Sequence, residues 1–130
     1  MQEQIRPRKK PKCPEEWKLP TDAKELKTPV FVRPYLDDYG LNVYEFRILA
    51  HVARRASGVR GCYASQESIA EFCGINQRKV MEVLETLCKA NILSKIKNNK
   101  GRTNIYRVNE PSKWEHPSKL ESFRTGKAET

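Results

Sequence analysis

Four consecutive polar side chains, Asn76, Gln77, Arg78 and Lys79, stand immediately ahead of an apolar repeat at Val80, Leu84 and Leu87. A carboxamide can pair with adenine through two hydrogen bonds, a guanidinium can do the same with guanine, and an ammonium attracts phosphate oxygens. The quartet therefore has the chemistry of recognition. No glycine-rich phosphate loop, nucleophile elbow or zinc-protease pattern occurs in the chain, so no catalytic residue is assigned and an enzyme is not expected.

The surrounding residues read as the elements that hold this quartet. Ser65 suits the cap of one short amphipathic helix carrying Ile69 and Phe72, Gly74 suits a bend, and Asn76 suits the cap of a second helix. Val80, Leu84 and Leu87 form the buried line of that second helix, with Val83 or Cys88 beside them. Two helices joined this tightly form a helix-turn-helix, a signature that points to double-stranded DNA. Upstream, Asn42-Val-Tyr-Glu45 reads as a capping box, and Phe46, Leu49, Val52, Ala53 and Ala56 predict the buried stripe of a helix ended by Gly58 and Gly61. Cys62-Tyr63-Ala64 suits a small edge strand. Downstream, Asn91 suits the left-handed position after a helix. The runs 92–98 and 103–108 flank Asn99-Lys-Gly-Arg102, a hairpin with a basic tip turning at Gly101. The predicted fold is mainly α with a small β-hairpin, an α+β winged helix-turn-helix with a three-helix core plus a wing.

Charge concentrates on the same segment. Residues 41–108 hold 12 basic and 5 acidic side chains, residues 1–40 hold 9 and 7, and residues 109–130 hold 4 and 4. A basic domain attracts phosphate backbones, although it also attracts anionic membranes and acidic proteins. Residues 1–29, with five prolines, read as a basic Pro-rich flexible arm. Its run Arg6-Pro-Arg-Lys-Lys-Pro-Lys12 has three readings: a solvated tail, an arm on DNA, or a nuclear localisation signal. Val30 to Leu36 is expected to dock as a short extended piece on a domain spanning 30–108, and 109–130 reads as a C-terminal tail in which only Trp114 packs back. Cysteines at 13, 62, 73 and 88 are separated by 49, 11 and 15 positions, which matches no paired zinc-ligand pattern. They read as reduced thiols in an intracellular compartment. No apolar run approaches the length of a membrane span and no signal-peptide core follows Met1, so a soluble cytoplasmic protein with no membrane, metal or cofactor is expected.

Three blocks carry a family resemblance: Phe46-Arg-Ile-Leu-Ala-His-Val52, Ala64 through Val80, and Leu84-Glu-Thr-Leu-Cys-Lys-Ala-Asn-Ile-Leu93. The segment from Leu41 through Val108 resembles the winged helix-turn-helix domains of bacterial, phage and plasmid replication proteins and of GntR-type regulators. The resemblance implies that Ser65 and Gln66 approach the DNA backbone and that Asn76, Gln77, Arg78 and Lys79 lie at or near bases. It also implies that Lys97, Lys100 and Arg102 on the wing touch an adjacent groove or phosphate.

One row qualifies the base-reading role. Opposite the buried line, Arg78, Glu82, Glu85 and Lys89 share the outward face of their helix, two carboxylates among them. Ion pairs from Arg78 to Glu82 and from Glu85 to Lys89, each worth about 0.3–0.5 kcal/mol, would make this a solvated surface, and the middle of the helix is not expected to read bases. His51 has no second ligand at metal spacing and reads as a surface or half-buried imidazole. Asp37-Asp38 reads as a cap or turn. Two functions follow: duplex DNA binding in replication initiation or control, or in transcriptional regulation, with a homodimer or a replication or transcription protein as further partner; or a protein-interaction adaptor using Glu82, Glu85 and Val30–Leu36.

Overall fold

A computed structural model of the chain describes residues 10–27, 30–56, 61–97 and 104–124. Two short helices come first, α1 (Ala23–Lys27) and α2 (Pro34–Asp37). Helix α3 (Val43–Arg55) starts in a full capping box: Asn42 Oδ1 accepts the Glu45 N–H at 2.8 Å, and Glu45 Oε1 accepts the Asn42 N–H at 2.9 Å. Helix α4 (Gln66–Cys73) is capped by Ser65, whose Oγ accepts from the Ser68 N–H at 3.0 Å. Gly74 then takes the left-handed conformation, φ 70° and ψ 36°, and turns the chain into α5 (Gln77–Lys89), capped by Asn76. Asn91 leaves α5 with φ 63°, the left-handed position expected of it.

Strands β1 (Leu93–Ile96) and β2 (Ile105–Val108) pair antiparallel, Leu93 opposite Val108 and Ile96 opposite Ile105. Cys62 adds a single bridge, exchanging both backbone hydrogen bonds with Tyr106 at 2.8 and 3.0 Å. The fold is thus mostly helical with a two-stranded hairpin, as expected of a winged α+β domain. The hairpin tip with Lys100, Gly101 and Arg102, like Gly58 at the end of the expected α3 stripe, lies outside the described residues.

The core forms where α3, α4 and α5 meet. It is built from Ile48, Leu49 and Val52, from Ile69, Ala70 and Cys73, and from Val80, Val83, Leu84 and Leu87, closed by Ile92, Leu93 and Tyr106. The α3 stripe is rotated from the expected one: Phe46 is half-buried and Ala53 exposed, while Ile48 is buried. The reason is chemical. Two members of the buried face are Glu45 and His51, and polar residues there make the neighbouring line look more apolar. Phe72 is likewise half-buried. The lead-in piece also differs from expectation, since Val30 is 94% and Phe31 66% exposed and Pro34 starts a helical turn that its fixed φ favours. Only Leu36 in that piece, with the nearby Tyr39, reaches the core.

The largest correction concerns the stretch read as a tail. Residues 109–124 dock on the domain through two 3-10 turns (Pro111–Lys113 and Pro117–Lys119) and helix α6 (Leu120–Phe123). The Asn109 N–H donates to the Ile92 carbonyl at 2.9 Å and the Glu115 N–H to the Ala90 carbonyl at 2.8 Å. Trp114 meets the rings of Tyr35 and Tyr39 edge-on, each at 5.6 Å. Leu120 is buried. Arg124 then donates to both oxygens of the buried Glu45 carboxylate at 2.9 Å and to the Gly40 carbonyl at 3.0 Å. Single apolar residues between prolines suffice here because each finds its partner far away in sequence.

His51 is buried too, contrary to the surface or half-buried position expected. Its ring stacks on Phe72 with centroids 4.6 Å apart, and its Nε2 has no hydrogen-bond partner among the described residues. Desolvation first, then the guanidiniums of Arg55, Arg47 and Arg54, push its pKa down to about 4 from 6.5. The imidazole is neutral at pH 7.

Two outcomes are expected. Arg124→Ala strands the Glu45 carboxylate in the interior and should lower the unfolding free energy by about 3 kcal/mol in urea titrations. For His51, the folded pKa lies below the unfolded value, so the stability its neutrality contributes is present above about pH 6.5 and is lost as pH falls towards about 4. Relative to His51→Phe, the wild-type chain should lose up to about 3 kcal/mol across that window.

Candidate nucleic-acid interface

Two capped helix starts open on one side of the molecule. In each the cap side chain uses its acceptor inward: Ser65 Oγ on the Ser68 N–H at 3.0 Å, and Asn76 Oδ1 on the Arg78 N–H at 2.8 Å. That leaves a hydroxyl proton on Ser65 and an amide NH₂ on Asn76 as donors, beside the positive ends of two helix dipoles. Donors so placed suit phosphate oxygens.

Ser65, Gln66 and Gln77 line one groove together with Ala64, Glu67, Asn104 and Tyr106. The helix-turn-helix thus meets the base of the hairpin, and three carboxamides face a common space. Asn104 was not among the residues expected from the sequence. Strand alternation carries the signal for it: Asn104 shares a face with Tyr106, two residues on, whose ring is buried. Lys95 sits opposite Tyr106 in the hairpin register and lines a second groove with Gln66, Met81, Glu85 and Lys89. Gln66 joins the two.

The remaining expected residues divide. Asn76, Gln77 and Arg78 are exposed on the first turn of α5, and Lys97 is exposed just past β1. Lys79 is turned aside, with its Nζ 5.2 Å from the Tyr44 ring centre and 3.9 Å from Glu82 Oε1. The anticipated Arg78–Glu82 pair is therefore replaced by Lys79–Glu82, because Tyr44 on α3 draws the lysine across to Glu82. Glu85 and Lys89 do pair, at 3.7 Å. Among the described residues Arg78 forms no ion pair, which leaves its guanidinium available at the tip. The acidic middle of α5 is partly neutralised and stands further along the helix.

Part of the basic arm belongs to the same region. The Lys12 N–H donates to the Phe72 carbonyl at 2.9 Å, and the Lys10–Pro11 peptide lies directly against Gly74. Lys10 and Lys12 are exposed. Residues 6–9 of the run lie outside the described residues. Elsewhere, among the described residues, no group of three or more His, Cys, Asp or Glu side chains is placed to hold a metal ion, and no helix is long and apolar enough to cross a membrane.

No curated protein and no solved structure matches the chain. Residues 39–93, from Tyr39 through α3, α4 and α5 to the first residue of β1, match a family described as a helix-turn-helix domain, a similarity that supports DNA as the partner.

Proposed function

We propose that this chain binds double-stranded DNA with the first turn of α5, the cap of α4 and the hairpin, and acts in replication initiation or control on a plasmid, phage or bacterial chromosome, or in transcriptional regulation. The observation that carries this reading is the convergence of Ser65, Gln66, Gln77 and Asn104 on one groove beside the exposed Arg78. Ser65 and the α4 amides hold a phosphate, and that contact sets the register at which the α5 tip meets base edges. Arg78 suits guanine, and Asn76 and Gln77 suit adenine. Lys97, with Lys100 and Arg102 of the hairpin tip, adds phosphate contacts.

Glu82 and Glu85 limit how deeply α5 enters the groove, so few base pairs are read by one copy. A homodimer would extend the site. An adaptor role has one observation in its favour, the exposure of Val30 and Phe31. Its acidic face is weakened by the Lys79–Glu82 and Lys89–Glu85 pairs.

Selection from random duplexes at two salt concentrations tests the proposal. Enrichment of a short motif at both, with affinity falling steeply between them, is the expected result. Absence of binding at low salt overturns it. In fluorescence anisotropy, Arg78→Ala should weaken binding to the selected duplex by about 5- to 150-fold, a loss of about 1–3 kcal/mol. Lys79→Ala, already engaged by Glu82 and Tyr44, should cost no more than about a third of that energy.

A further inference from the structure

The helix-turn-helix bend holds more than its own two helices. Helix α4 ends at Cys73, so the Phe72 carbonyl belongs to the last turn, whose acceptors have no partner within the helix. It receives one from the arm, the Lys12 N–H at 2.9 Å. One residue after that turn, the chain needs Gly74 for a second reason besides its φ of +70°: a Cβ there would fall on the Lys10–Pro11 peptide, with the Lys10 carbonyl oxygen at 2.8 Å. The missing side chain makes a seat for the arm. Pro11 stiffens the segment that occupies it, since its ring fixes φ and pushes Lys10 towards an extended conformation.

This seat lies two residues before Asn76, at the start of the α5 tip. Lys10 and Lys12 are exposed on either side of the seated proline, and among the described residues neither forms an ion pair. We propose that the Gly74 seat makes the arm a built part of the DNA-binding surface, with Lys10 and Lys12 held beside the α5 tip to contact backbone phosphates flanking the bases it reads. The inference rests on the DNA-binding reading above and deepens it. A loose basic tail would also attract DNA, but it would have to be ordered on binding, at a cost of about 1–2 kcal/mol per residue fixed. An arm strapped in advance has already met that cost and delivers its charges at one register.

The test uses the full chain and a fluorescent mixed-sequence duplex. Four proteins are compared by the slope of log affinity against log salt: wild type, Lys10→Ala/Lys12→Ala, Gly74→Asn, and the combination of all three changes. Asparagine accepts the left-handed backbone but brings a Cβ, so Gly74→Asn unseats the arm with little strain at the turn. Loss of two phosphate contacts should flatten the slope by about 1.8 in the lysine variant. Gly74→Asn should flatten it comparably, and the triple variant no further. Losses that simply add would show that the seat does not place the lysines, and an unchanged slope in the lysine variant would show that they do not touch DNA; a gain in affinity would mean that the arm obstructs the tip. Each overturns the inference while leaving the effect of Arg78→Ala intact, whereas absence of duplex binding by the wild type overturns the parent reading instead. Hydrogen exchange at the Lys12 amide provides a check that needs no substitution at the turn: the bond to Phe72 predicts protection in the free protein, and exchange at the rate of an open chain would rule out the strap.

Discussion

The bend at Gly74 is the constraint on which the functional surface depends. A residue at φ 70° reverses the chain between α4 and α5 within three positions, and only glycine or a small polar residue does this cheaply. The angle it sets brings the Ser65 and Asn76 caps to the same side of the molecule. It also brings Gln66 and Gln77 to one groove with Asn104 from the hairpin. Move that angle and the donors part: two helix starts that share one groove would become two unrelated surface features. The caps add to the definition of the bend, because each fixes where its helix begins and so which residues occupy the first turn.

The bend can act only if α3 and the hairpin hold α4 and α5 still, and here a buried carboxylate is central. Glu45 is nearly inaccessible, yet it accepts from the Asn42 amide and from two nitrogens of Arg124. One side chain therefore starts α3, anchors the end of the docked C-terminal segment, and faces Lys79, Val83 and Thr86 of α5 across a common pocket. Paired charges in an interior add little net stability, but they tolerate few alternative arrangements. Trp114, Tyr35 and Tyr39 hold the start of the same segment against α2 and the residues just after it. None of these contacts uses Ser65, Gln66, Asn76, Gln77 or Arg78, which stay at the candidate surface.

Much of this was legible in the sequence wherever the determinant was local. The Asn42–Glu45 box, the caps at Ser65 and Asn76, the bend at Gly74 and the left-handed position at Asn91 all depend on residues within four positions of each other, and all stand as read. Reading failed where a polar residue had a distant partner. Glu45 and His51 hid the true buried stripe of α3 by placing a carboxylate and an imidazole on it. The tail gave no periodic signal because its hold on the domain is a set of single contacts, one of them spanning 79 positions. On the candidate surface, the first turn of α5 was visible from its chemistry, but the diversion of Lys79 depends on Tyr44 of another helix. Asn104 could be found only from strand parity with a buried tyrosine, and the seat for Lys10 and Lys12 only from the space beside Gly74.

The central claim, that duplex DNA meets the side of the molecule where the two helix tips and the hairpin converge, is most directly tested by mapping amide chemical shifts during titration with duplex DNA. Shifts concentrated at residues 65–68, 76–79 and 104–107 are the predicted result. Shifts confined to Val30–Leu36 and the Trp114 region, with those helix starts unmoved, would contradict it.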